Sequence, residues 1–354
     1  MKMLPSPGGP YFVGSTTRDI CDSNRPRHLV SQESGRRIFV KFWYPADPTA
    51  PEICRREMLW EQLRRGPDIP GVVKLFLHPA MKLMTNSYER APYAHEAGPP
   101  RILFYSHGLI SFASESTMLM EHLASHGYVM ISLQHLDQLP EFRSLGKTLP
   151  DSERREQKQL ERRIKAASRE ERAAQWKEYF RKASNTNRIV SARAGDVDYA
   201  TASLEALLDA IPGIFATVPL EPVGALGLSV GGAVATEYAK AAHNRMRCVI
   251  NLDGGIYGRL LEKPIDSDYL MLYSDENNGI NDLALTATDG VEIRRRAING
   301  TRHLNFHDIA AIYPRLKWLG AIGRTSPVAA LEERNQLVRG FVSDVAKRTQ
   351  WRPA

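Results

Sequence analysis

The sequence predicts an α/β fold, a mostly parallel sheet with helices on both faces, and three observations lead there. Short β-branched or aromatic runs recur between turn residues, helical patterns alternate with them, and a Gly-X-Ser-X-Gly string stands where one run gives way to a helix.

Strand-like runs fall at 38–44, 102–105, 129–133, 223–228, 248–252, 269–273 and 291–298. Helical patterns occupy 116–126 after the second run, 188–210 before the fourth, 231–243 after it, and 327–347 near the end. Such alternation places crossover helices over both faces of a parallel sheet. Two stretches break the rhythm. Residues 53–94 carry Met58, Leu59 and Trp60, then Val72, Val73, Leu75, Phe76 and Leu77, then Met81, Leu83 and Met84, and are expected to form an apolar helical insertion. Residues 140–187 are highly charged, yet Leu160, Ile164 and Ala167, then Trp176, Tyr179 and Phe180, recur at helical spacing. A helical cap or lid on the main domain is expected there, with ordinary surface decoration as the plainer alternative. The expected organisation is one domain over 1–354 with these two insertions.

With 354 residues, 43% of them hydrophobic and 25% charged, the composition is that of a globular protein with a large core. The longest apolar runs are strand-length, far below the roughly 20 residues of a spanning helix. The first residues lack an apolar signal core, so a cytoplasmic location is expected. Cys21, Cys54 and Cys248 are too few and too dispersed for a disulfide or metal framework. The net charge is +7, and residues 151–182 hold 11 Lys or Arg against 7 Asp or Glu. The opposite charges lie at helical pairing distance, which favours a self-neutralising solvated helix, and no nucleic-acid partner is expected.

The string Gly227-Leu228-Ser229-Val230-Gly231 is short and weak alone, but its strand-turn-helix setting is that of the nucleophile elbow of an α/β-hydrolase. A serine hydroxyl needs a histidine to accept its proton and a carboxylate to orient that histidine. In this fold both follow the serine in the chain. Of ten histidines only His243, His303 and His307 do so. His243 ends the helix that starts at the elbow, whereas His303 lies in a loop just after the last strand run and is the expected base. His307, one turn further on, is expected to be structural. For the acid, Asp253 and Asp275 both end strand runs, and the residues alone leave the pair open. The Val230 N–H after the nucleophile and the Leu109 N–H of Ser106-His107-Gly108-Leu109 are the expected oxyanion donors, with His107 shaping the loop. His122 with His126, and His303 with His307, have i, i+4 spacing but lack the HExxH glutamate, so no metal is expected.

Several segments together carry a family resemblance: Phe104-Tyr105-Ser106-His107-Gly108-Leu109, Leu123-Ala124-Ser125-His126-Gly127-Tyr128, the elbow, Leu252-Asp253-Gly254 and Gly300-Thr301-Arg302-His303-Leu304-Asn305-Phe306. In order and spacing they resemble the platelet-activating factor acetylhydrolases of the lipoprotein-associated type. The likeness covers most of 38–310. It implies a calcium-independent serine lipase that removes short or oxidised acyl groups from a phospholipid, with no cofactor. It also implies that Asp253 is the acid and supports Leu109 and Val230 as donors. Residues 72–77 then become a candidate lipid-docking segment. Val230 and Gly254-Gly255 depart from bulkier family residues, which reshapes the acyl pocket and leaves the substrate open. The same triad could serve thioester or amide hydrolysis, macrocyclisation or acyl transfer, and a non-catalytic binding protein on this scaffold is the remaining reading.

Overall fold

In a computed structural model of the chain, the structure describes residues 2–47, 56–59, 83–135, 149–214, 223–241 and 246–348. Its strands are β1 Lys2–Met3, β2 Phe12–Pro26, β3 Ser34–Ala46, β4 Arg56–Met58, β5 Leu83–Glu89, β6 Arg101–Ser106, β7 Tyr128–Gln134, β8 Gly224–Leu228, β9 Cys248–Leu252, β10 Asp268–Ser274 and β11 Ile293–Ile298. Besides shorter turns of helix, α1 spans Thr117–Ser125, α2 Asp151–Ala166, α3 Arg169–Lys182, α4 Ser184–Ala202, α5 Val230–Ala241 and α6 Pro327–Arg348.

The strands form one sheet in the order β1-β5-β2-β3-β7-β6-β8-β9-β10-β11, with β4 added on β5. From β7 to β11 every pairing is parallel, while β2 with β3 and β3 with β7 are antiparallel. The central strands alternate with period 2 between two apolar layers, as strands buried on both faces must. Ile102, Phe104, Val249 and Met271 join Val190, Val197, Val234 and Tyr238 of α4 and α5 on one face. Leu103, Tyr105, Ile250 and Leu272 join Leu119, Leu123, Val338 and Phe341 of α1 and α6 on the other. Among the described residues no helix is long and apolar enough to cross a membrane.

One expectation is corrected at the described ends of its segment, and one strand was not anticipated. The described ends of 53–94 are strands rather than an apolar helix: β5 pairs with β1 and β2, and β4 pairs with β5. Thr85 and Ser87 of β5 are buried because their hydroxyls donate to Glu57 O and Glu121 Oε1, a tertiary arrangement that apolar spacing does not report. Residues 72–77, Cys54 and His243 lie outside the described residues. The strand not anticipated is the 15-residue β2, which forms a long antiparallel pair with β3.

The charged insertion is helical where described. Its α2 and α3 lie against each other, Ser184–Asn187 already belong to α4, and residues 140–148 are outside the described set. Leu160, Ile164 and Phe180 are buried, and Phe180 stacks on Trp176 and meets the edge of Tyr257 with centroids 4.8 Å apart. The insertion is thereby seated on the segment that follows Asp253.

Candidate active site

The elbow is set by a close approach of strand and helix. Ser229 lies between β8 and α5 with φ +58°, and a Cβ on Gly231 would stand 1.9 Å from Ser106 O. Only glycine fits there. A left-handed backbone at a non-glycine residue costs on the order of 1–3 kcal/mol and persists where its surroundings fix it. Four described non-glycine residues adopt positive φ, and three of them, Ile110, Ser229 and Asp253, fall at the predicted site. Ser229 is partly exposed, and its N–H donates to Leu252 O at 2.9 Å. Gly254 packs against it so closely that a Cβ would lie 2.0 Å from Ser229 O.

Asp253 follows β9 with a fully buried side chain. His303 Nδ1 lies 2.7 Å from its Oδ2, which also accepts from Asn277 Nδ2 at 2.8 Å, while Ser274 N–H donates to Oδ1 at 2.6 Å. Three donors thus converge on one carboxylate. With Nδ1 bonded to Asp253, Nε2 is the basic nitrogen of the neutral ring, and the His303 side chain retains 42% exposure. Burial works to lower the pKa of His303. The bond to Asp253 and the negative charges of Asp253, Glu115 and Glu276 outweigh it, so the value stands above the ordinary 6.5. The other candidate acid, Asp275, is exposed and accepts from Gly300 N–H at 3.1 Å. It braces the loop that leads to His303 rather than contacting the ring.

The loop after β6 is held by buried polar groups. His107 Nδ1 bonds Gly108 O at 2.7 Å, and its Nε2 accepts from His135 N–H at 3.2 Å, consistent with a neutral, loop-shaping ring whose pKa burial drives well down. Gly108 N–H donates to Glu115 Oε1 at 2.8 Å, and the expected donor residue Leu109 follows it, partly exposed. Val230 opens α5, and the first amides of a helix have no partner within it. Glu115 was not anticipated from sequence. It is 1% exposed, accepts from Tyr105 OH at 2.6 Å, and has His307 Nε2 at 3.8 Å. Burial pushes its pKa up to about 7 despite bonds from Ser111, Tyr105 and Gly108. Burial likewise takes His307 down to about 3, aided by Arg334 and His303, and its Nδ1 accepts from Ile309 N–H. His307 is therefore a half-buried neutral brace. His122 and His126 bond through Nδ1 to Pro7 O and His122 O, and among the described residues no group of three or more His, Cys, Asp or Glu is placed to hold a metal.

The sequence profile of the family described as platelet-activating factor acetylhydrolase, isoform II, matches residues 1–351. The chain belongs to this family. It is thus one of a family of ester hydrolases, and the match is longer than the stretch over which the motifs show the resemblance. A platelet-activating factor acetylhydrolase of Cavia porcellus is 23% identical over 320 residues, which cover 86% of this chain and 69% of that protein. A protein of Schizosaccharomyces pombe named "Putative phospholipase A2" is 26% identical over 147 residues, 38% of this chain and 33% of that one. This chain thus spans only a third of the yeast relative. Among solved structures, a ferulic acid esterase from Streptomyces cinnamoneus aligns with a TM-score of 0.66 at 20% identity, covering 97% of this chain and 92% of that one. That likeness shows the shared α/β-hydrolase fold. Within this acetylhydrolase-family chain, the glycines after Asp253 have a structural reason. Gly254 lies against the elbow, and a Cβ on Gly255 would stand 2.5 Å from the ring of Phe180, so the insertion occupies the space a larger residue would need.

Proposed function

We propose that this chain is a serine ester hydrolase acting through Ser229, His303 and Asp253 on esters with a short acyl chain, phospholipid-type esters included. The observation that carries the reading is the 2.7 Å contact between His303 and buried Asp253, with Asp253 joined to the strained elbow through the Ser229–Leu252 hydrogen bond. In this reading Ser229 Oγ adds to the ester carbonyl while His303 Nε2 takes its proton. The amides of Leu109 and Val230 receive the developing oxyanion. His303 then protonates the departing alcohol, water attacks the acyl-enzyme with His303 again accepting a proton, and the acid leaves as Ser229 is restored.

The test is the rate on p-nitrophenyl esters from acetyl to palmitoyl. The expected result is a kcat/KM that falls as the chain lengthens; faster palmitoyl turnover, or none by the folded protein, would sink the proposal. The pH dependence supplies a second expectation. The base must be neutral, and His303 has a raised pKa, so kcat/KM falls as pH drops through a value above 6.5 and levels off on the alkaline side. Because Asp253 holds that value up, Asp253→Asn moves the inflection of the residual activity to lower pH. An inflection that stayed in place would remove Asp253 from contact with the base.

A further inference from the structure

A buried carboxylate, that of Glu115, bonds both to the loop after β6 and to the segment that carries His303. Its Oε1 takes two donors, Tyr105 OH from β6 and Gly108 N–H from the loop. A Cβ on Gly108 would lie 3.4 Å from Glu115 Oε2 and 3.6 Å from Ser229 Cβ, so carboxylate and elbow serine both lie beside Gly108. From the main chain, Glu115 O accepts Asp308 N–H at 3.2 Å, just beyond the turn of helix that begins at His303. Gly108 is held at its other end as well. Its carbonyl accepts from His107 Nδ1 at 2.7 Å and from Nη1 of Arg193, a fully buried residue of α4, at 3.3 Å. That carbonyl shares a planar trans peptide unit with the Leu109 N–H, and the two point in opposite directions. Fixing Gly108 at both its N–H and its carbonyl therefore fixes the aim of the Leu109 amide.

We propose that Glu115 is a positioning residue of the esterase site, a strut that ties the loop offering the Leu109 amide to the segment holding His303. The inference rests on the esterase reading above and deepens it. Glu115 touches no reacting atom in this scheme; it acts through Gly108 and through its charge. The groups that face its carboxyl are Tyr105 of β6, Ser111, His307 with Nε2 at 3.8 Å, His303, and the cations Arg193 of α4 and Arg334 of α6. When ionised, the carboxylate favours the charged form of the His303 ring, so removing its charge lowers the His303 pKa.

The test compares Glu115→Ala and Glu115→Gln with Glu121→Gln, each shown to be folded by circular dichroism. Glu121 is the matched control. It is equally buried and burial raises its pKa to about 7 too, but its carboxylate serves Asn86 and Ser87 of β5. On p-nitrophenyl acetate, Glu115→Ala is expected to lose about 10²-fold in kcat, the size of one misplaced oxyanion donor, with KM changed less than about threefold. Glu115→Gln keeps an oxygen for Tyr105 OH and Gly108 N–H, so its kcat returns to within about tenfold of the wild type. Glu121→Gln leaves kcat unchanged. A Glu115→Gln variant as slow as Glu115→Ala, an unchanged kcat in Glu115→Ala, or an equal loss in Glu121→Gln would each overturn the proposal. NMR titration of the His303 ring in Ser229→Ala needs no turnover, and so separates this inference from the esterase reading. The His303 pKa is expected to fall when Glu115→Gln is added and to stay in place with Glu121→Gln. A fall supports the tie even if no ester is cleaved, and an unmoved value overturns it.

Discussion

Ser229→Ala is expected to abolish ester turnover, a loss of roughly 10⁶-fold in kcat, and Asp253→Asn to cost roughly 10⁴-fold, while Asp275→Asn stays within tenfold. The ranking follows from who donates to whom. Asp253 receives His303 Nδ1, Asn277 Nδ2 and the Ser274 amide. An Asn at 253 offers one oxygen and one NH₂ to these three donors, so at least one donor meets another. The ring then turns or changes tautomer, and the proton acceptor facing the serine is lost. Asn at 275 keeps an oxygen for the Gly300 amide, its recorded side-chain partner. Measuring kcat for the three variants, with circular dichroism to show that each is folded, decides the matter. Should Asp275→Asn be the crippled variant, the acid belongs to the later strand and the present assignment fails.

Gly231→Ala is expected to lower folding stability by about 4 kcal/mol or more and to remove activity with it, a size reached only by a few mechanisms of which backbone overlap is one. The added carbon would lie 1.9 Å from Ser106 O and 2.8 Å from His107 O, both backbone atoms. Ser106 is paired with Gly227 across β6 and β8, so relief requires moving two central strands. Gly340 in α6 is the control, since a Cβ there meets nothing within 4 Å. Gly340→Ala should stabilise the protein by up to ~1 kcal/mol through helix propensity. Urea midpoints of both variants read the contrast, and equal shifts would refute the steric account.

What the sequence revealed, and what it hid, divides along a physical line. The central strands were legible because they are apolar on both faces, and the elbow because its glycines and serine are fixed by sterics that no other residues satisfy. Neither β2 nor β5 was legible. The second half of β2, from Arg18 to Pro26, is polar and largely exposed, and β5 owes its buried Thr85 and Ser87 to hydrogen bonds from distant parts of the chain. The residues alone left Asp253 and Asp275 level, since both end parallel strands; only the turn after β9, which presents Asp253 to His303, distinguishes them in the structure. Glu115 gave no local signal either. A glutamate seven residues beyond Gly108 reads as a solvated loop residue until the fold closes over it and its carboxyl caps the Gly108 amide.

The residues beyond β8 and β9 are suspended in the same way. Ser229 hangs by its amide from Leu252 O, and Asp253 hangs by its amide from Leu272 O at 2.8 Å. Ser229 and Asp253, the proposed nucleophile and acid, each stand one step past the end of a strand and are hooked to a carbonyl of the neighbouring one, that of Leu252 at the end of β9 and that of Leu272 within β10. Their separation is thereby a repeat of the sheet itself, roughly 4.8 Å per strand, a length fixed by peptide geometry rather than by any side chain. Surface loops and the charged insertion can be rebuilt without altering that ruler. Drift in what this chain accepts is therefore cheap, whereas drift in the kind of bond it breaks would require respacing the sheet.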